Sequence, residues 1–103
     1  MSLTGKERAA LRAEAHHLRP TVHIGHQGLT DALRASLDDA LRTHELVKCH
    51  LVKRADVSAK VAANELAVAL NAEVVQVIGR TVSLYRENPE LKHERGKPPA
   101  WRR

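Results

Sequence analysis

The chain has 103 residues, 17 of them basic and 12 acidic, for a formal net charge of +5 with histidine neutral. That length bounds the chain to one domain with at most a tail, and the positive balance suits a polyanionic partner. The single cysteine, Cys49, excludes an intrachain disulfide framework, and no apolar run approaches the roughly 20 residues of a membrane span. Residues 1–6 lack the apolar core of a secretory signal, so a reducing, cytoplasmic setting without membrane contact is expected.

Thr4-Gly5-Lys6-Glu7 reads as a capping box that starts a helix near Gly5. Leu11, Ala15 and Leu18 fall on one helical stripe, and Pro20 ends the helix by disfavouring helical geometry at Arg19. Thr21-Val22-His23-Ile24 alternates as a strand does. Gly25-His26-Gln27-Gly28 then leads into a second helix, capped by Thr30 with Asp31 in its first turn. Leu33, Leu37, Ala40 and Leu41 form the buried stripe of that helix, and Arg34, Asp38 and Arg42 are spaced to pair at i,i+4 on its wet side.

Residues 46–52 read as a second strand, with Val47, Cys49 and Leu51 facing the core and Lys48 and His50 facing away. Cys49 is therefore expected to be a buried, inert thiol. Asp56 is placed to cap a third helix whose inner face is Ala59, Ala62, Ala63, Leu66, Ala69 and Leu70, with Asn71 as its stop. Residues 74–78 and 81–86 are strands joined by Gly79-Arg80, a glycine-first pair that suits a type II′ hairpin. That turn pairs Val77 with Val82, Gln76 with Ser83, Val75 with Leu84 and Val74 with Tyr85. Apolar periodicity stops at residue 87, so the domain is expected over 1–86 and a basic, flexible tail carrying Trp101 over 87–103.

The order αβαβαββ predicts an α/β fold: a two-layer domain with a four-stranded mixed sheet, since strands linked through helices run parallel and the last pair antiparallel. Strand alternation gives one apolar face and one polar face, the latter with Thr21, His23, Lys48, His50, Gln76, Thr81, Ser83 and Tyr85. The first helix is left either at an edge or over part of the polar face. None of the four strand segments contains Asp or Glu. Lys48 and Arg86 lie within strands, and Lys53, Arg54 and Arg80 lie at strand ends.

The Gly25–Gly28 segment is the sharpest functional signal. Glycine permits close backbone approach, and a turn opening onto a helix N-terminus gathers free amides and positive dipole at one spot, where a phosphate fits. Such a loop clamps single-stranded nucleic acid in the KH module. A lone Gly-x-x-Gly also suits an ordinary strand-to-helix turn, but the basic, acid-free sheet face beside it favours RNA. Seven histidines invite a metal centre or a histidine-based hydrolase. A structural zinc site needs four convergent ligands, and no carboxylate stands in the strands to orient a base or hold magnesium. No metal, cofactor or catalytic residue is therefore expected. Tyr85 suits base stacking and strand packing equally.

Five ordered blocks carry a family resemblance: Leu-Thr-Gly-Lys-Glu-Arg at 3–8, Leu-Arg-Pro at 18–20, Ile-Gly-His-Gln-Gly-Leu-Thr at 24–30, His-Glu-Leu-Val-Lys at 44–48, and Gln-Val-Ile-Gly-Arg-Thr at 76–81 running into Leu-Tyr-Arg at 84–86. Together they resemble the CRM domain family (chloroplast RNA splicing and ribosome maturation), in particular its stand-alone bacterial YhbY-type members. The resemblance implies a fold similar to the C-terminal domain of translation initiation factor three. It also implies a non-enzymatic RNA-binding protein acting on large-subunit (pre-50S) precursors in ribosome biogenesis, with ribosomal RNA and ribosomal proteins as partners. On this view Gly25, His26, Gln27 and Gly28 hold the RNA backbone, Lys48, Lys53, Arg54, Arg80 and Arg86 supply electrostatic affinity, and His23, His50 and Tyr85 offer polar or stacking contacts. His26 and Gln27 stand where many relatives carry Lys, Arg, Ser or Asn, so this loop has no permanent positive charge. The alternative is a protein-interaction module whose sheet face or hairpin edge docks a ribosomal protein or assembly factor.

Overall fold

A computed structural model of the chain describes residues 3–53, 55 and 57–90. Arg54, expected at the interface, Asp56, expected as a helix cap, and the stretch 91–103 with Trp101 lie outside the described residues. The elements are α1 (Gly5–His17), β1 (Val22–Ile24), α2 (Asp31–His44), β2 (Leu46–Leu51), α3 (Ala59–Leu70), β3 (Glu73–Ile78) and β4 (Thr81–Tyr85). This is the expected αβαβαββ order.

Side-chain caps start all three helices. In α1 the Glu7 amide donates to Thr4 Oγ1 at 3.1 Å while the Thr4 amide donates to Glu7 Oε1 at 2.9 Å, which completes the capping box. Thr30 Oγ1 accepts from the Leu33 amide at 3.1 Å and so caps α2. Ser58 caps α3 by accepting from the Val61 amide at 3.2 Å. Asn71 closes α3 in the left-handed region at φ +54, a conformation that asparagine tolerates.

The sheet order is β1-β2-β4-β3, with β1 and β2 parallel and the other neighbours antiparallel. Gly79 has φ +57 and Arg80 does not have positive φ, as a type II′ turn requires. Val77 pairs with Val82 and Gln76 with Ser83, but Val74 rather than Val75 lies opposite Leu84, and Glu73 opposite Tyr85. The shift is a bulge between Val74 and Gln76. One extra residue on β3 reverses the facing of everything before it. Val74 therefore packs on the main core, and Val75 joins a second cluster with Leu11, Leu46 and Tyr85.

That second cluster fixes the place of α1. Leu37 and Leu41 of α2 and Ala62, Ala63 and Leu66 of α3 bury one face of the sheet, with Ile24, Val47, Cys49, Leu51, Val82 and Leu84. On the opposite face Leu11 of α1 packs on Leu46 and Tyr85, so α1 covers part of the face that alternation marks as polar. Leu18, expected on the buried stripe, is instead the exposed C-cap of α1. Ala69 is exposed as well, because the inner face of α3 ends with Leu66 and the half-buried Leu70.

The charged residues also pair differently from their i,i+4 spacing. Arg34 reaches Asp31, Arg42 reaches Asp39, and Asp38 is taken by Arg86 from β4's end at 2.7 Å. Glu73 opens β3, so the strands are not free of acid; Arg8 of α1 neutralises it at 3.2 Å.

Candidate nucleic-acid interface

Topology brings the expected contact residues to two opposite ends of the sheet. Because β1 and β2 are parallel, both finish at the same end, where the Gly25–Gly28 loop and Lys53 follow them. His50 pairs with Thr81, so the Gly79-Arg80 turn lies at that end too. Two backbone bonds tie these pieces together: the Val52 amide donates to Ile24 O at 3.0 Å, and the Leu51 amide donates to Arg80 O at 2.8 Å. The N-termini of α2 and α3 open here, each bringing the positive end of a helix dipole. Lys53 and Arg80 are exposed.

The loop is a tight turn. The Gly28 amide donates to Gly25 O at 3.0 Å, and the Thr30 amide to Gly28 O at 3.1 Å. Gly28 has φ +72, a conformation in which an L side chain is strained. A Cβ built at Gly25 or Gly28 meets nothing within 4 Å, so both glycines border open space. His26 and Gln27 at the tip are exposed. The amides of Asp31 and Ala32 have no intrahelical acceptor, as at any helix start.

An open groove of about 580 Å³ runs from the loop along α2, lined by Thr21, Val22, His23, Gly25, His26, Gln27, Gly28, Thr30, Ala32, Leu33 and Ser36. β1, the outer strand, borders it, and among the described residues no carboxylate lines it. Sequence reasoning missed Ala32, Leu33 and Ser36. Their signal is the i,i+4 pair of small residues, Ala32 and Ser36, one turn apart on the helix after the glycines, which leaves room beside the backbone. His23 and His50 are register partners on the sheet face, their rings 6.2 Å apart and inclined at 72°.

Three further expected contacts are occupied or enclosed. Lys48 Nζ donates to Ala15 O at 3.0 Å and to Leu18 O at 3.4 Å, capping the C-terminus of α1 with a positive charge. Arg86 lies at the far end of the sheet, where its guanidinium donates to Asp38 Oδ1, Asp38 O and Leu70 O at 2.7–3.0 Å. Tyr85, expected as a stacking candidate, is only 5% exposed under α1, so a base cannot reach its ring. Cys49 is a buried thiol whose pKa burial pushes up to about 12, as its inward alternation implies.

Glu45 is a structural residue that pattern reading passed over. It is fully buried at the C-cap of α2 with φ +64. Its Oε2 accepts from the Asn88 amide at 2.7 Å and its carbonyl from the Arg86 amide at 2.9 Å. Asn88 Nδ2 also donates to Arg42 O at 2.7 Å, so the packed chain runs on past residue 86. Among the described residues no group of three or more His, Cys, Asp or Glu side chains converges on a possible metal position, and no helix is long and apolar enough to cross a membrane.

Comparison with known proteins places this geometry in a family context. Residues 3–86 match the CRS1 / YhbY (CRM) domain. The chain is similar to Probable RNA-binding protein YqeI of Bacillus subtilis, with 34% identity over 90 residues spanning 87% of this chain and 94% of the relative. It is 34% identical over 91 residues to an RNA-binding protein of Haemophilus influenzae, covering 88% and 92% of the two chains. The solution structure of the hypothetical protein SAV1595 from Staphylococcus aureus superposes with a TM-score of 0.74 at 37% identity, over 86% of this chain and 93% of that one. The chain belongs to the CRS1/YhbY (CRM) domain family.

Proposed function

We propose that this protein binds RNA without catalysing a reaction on it, and that it holds the phosphate backbone at the loop end of the sheet. The single observation that carries this is the groove, without a carboxylate among its described lining residues, that joins the Gly25–Gly28 turn to the start of α2. Family membership and relatives named as RNA-binding proteins support the ligand class. Backbone amides and the helix dipole supply the phosphate site, so the loop does not need a lysine. His26 and Gln27 offer hydrogen bonds at its tip. Lys53 and Arg80 add electrostatic affinity from the neighbouring turns, while Lys48 and Arg86 hold the fold. The cellular role we assign is cytoplasmic, in large ribosomal subunit assembly, with precursor ribosomal RNA as the ligand.

Crosslinking the protein to RNA in cells and mapping the contacted nucleotides tests this role. Contacts concentrated in large-subunit precursor RNA are expected; contacts spread over unrelated transcripts would contradict the assembly role. A second reading, docking of a ribosomal protein, draws on one observation: Val77 and Ile78 on the outer strand β3 are 37% and 54% exposed. Salt separates the two, since phosphate contacts lose affinity steeply with ionic strength and an apolar interface does not.

A further inference from the structure

We propose that His23 and His50 form a stacking platform for an unpaired nucleobase, so that the RNA is single-stranded where it passes the loop. The inference deepens the RNA-binding reading and rests on it. The two histidines are directly opposite each other on adjacent parallel strands, on the sheet face away from the main core. Their rings meet edge to face, with centroids 6.2 Å apart and planes inclined at 72°. That arrangement sets two aromatic rings side by side on one sheet face. His23 is exposed and lines the same groove as the glycine turn, which places an aromatic face beside the phosphate site.

Apart from histidines, which include His26 at the tip of the same groove, the chain offers few rings for the purpose. It contains no Phe, one Tyr and one Trp. Tyr85 is buried under α1, and Trp101 lies outside the described residues. Single-stranded RNA is read by splaying bases onto aromatic side chains, histidine included, whereas an A-form duplex keeps its bases stacked on one another. A backbone held at the loop and a base laid on His23 therefore select a strand with unpaired bases.

The test is a fluorescence titration with a short mixed-sequence single-stranded RNA carrying a fluorescent adenine analogue, and with its duplex as a second probe. The wild-type protein is expected to bind the single strand in preference to the duplex and to quench the analogue. His23→Ala should lower affinity about five- to tenfold and reduce the quenching, as loss of a base–aromatic stack does. His23→Phe should restore both, because it keeps a π-face without charge. His23→Lys should leave the quenching low, and His50→Ala should weaken both readouts by a smaller factor. Circular dichroism melting of each variant checks that an exposed strand position has not altered the fold. Equal binding of duplex and single strand, wild-type quenching by His23→Ala, or recovery by lysine and not by phenylalanine would each overturn the platform while leaving RNA binding intact. A wild-type protein that binds neither probe at low salt would overturn both the platform and the RNA-binding reading.

Discussion

At the end of the sheet where β1 and β2 finish, a glycine turn, two helix N-termini, Lys53 and Arg80 stand together, with Lys53 and Arg80 exposed. At the opposite end Arg86, Asp38, Glu45 and Asn88 satisfy one another and the helix ends around them. Both ends are rich in polar groups, and the difference lies in where those groups are spent. Hydrogen bonds made inside the fold hold β4 to α2 and α3, whereas groups left facing a groove can bind something else. A basic residue in a strand is therefore no guide to a ligand until its partners are known. Arg80 and Arg86 bracket one short strand and fall on opposite sides of that division.

Replacing arginines at the two ends should separate stability from binding most widely. Arg86→Met, which keeps the aliphatic stem, should lose about 2–3 kcal/mol of stability, because it removes charge-assisted bonds that are partly shielded from water. Arg80→Met should change stability by no more than about 0.5 kcal/mol, as expected for an exposed turn position. Thermal melts of both variants check the contrast, and an equal loss in the two would erase it.

Glu45 gives the next largest effect. Glu45→Ala leaves the Asn88 amide without its carboxylate acceptor and should cost about 2 kcal/mol. Glu45→Gly removes the same acceptor but relieves a positive φ, so it should be milder by about 1 kcal/mol. Denaturant midpoints of the pair read this directly.

The loop glycines sharpen the comparison from the other side. Gly28→Ala keeps open space for its Cβ but places an L residue at φ +72, and should cost about 1–2 kcal/mol while the protein stays folded. Gly25→Ala carries no such penalty and should leave the melting temperature unchanged. Both should weaken RNA binding, Gly25→Ala without any change in stability. Lys53→Ala and Arg80→Ala should each reduce the log–log salt slope of RNA binding by roughly 0.7–1.

The last effect concerns pH and leaves stability at neutral pH untouched. Burial raises the Cys49 thiol from 9.0 to about 12, so the unfolded chain ionises first as pH rises. Its contribution to stability is fully present below pH 9 and is lost as pH climbs toward about 12. A Cys49→Val variant should show a shallower decline across that window.

Element order, two of the three helix caps, the glycine-first hairpin and the family were legible in the sequence, because each depends on residues close together in the chain. Thr30 could be read as a cap from its place before an apolar stripe. What could not be read depends on distant partners. The bulge at Val75 leaves no local mark in a run of valines, yet it turns two residues to the opposite face. Tyr85 alternates onto the polar face as expected, but α1 covers that part of it. Arg86 looks like a free basic residue until Asp38, 48 positions away, is found beside it. The glycine loop was visible from spacing alone, whereas its groove required α2 to bring Ala32 and Ser36 alongside.

The central claim is that RNA meets the loop end and not the Arg86 end. Amide chemical-shift mapping of the labelled protein on addition of a short single-stranded RNA tests it most directly. The account predicts shifts concentrated at His23 through Thr30, the first turn of α2, Lys53 and Arg80, with Asp38, Glu45, Arg86 and Asn88 unmoved. Shifts centred on Asp38, Glu45, Arg86 and Asn88, with a silent glycine loop, would contradict it.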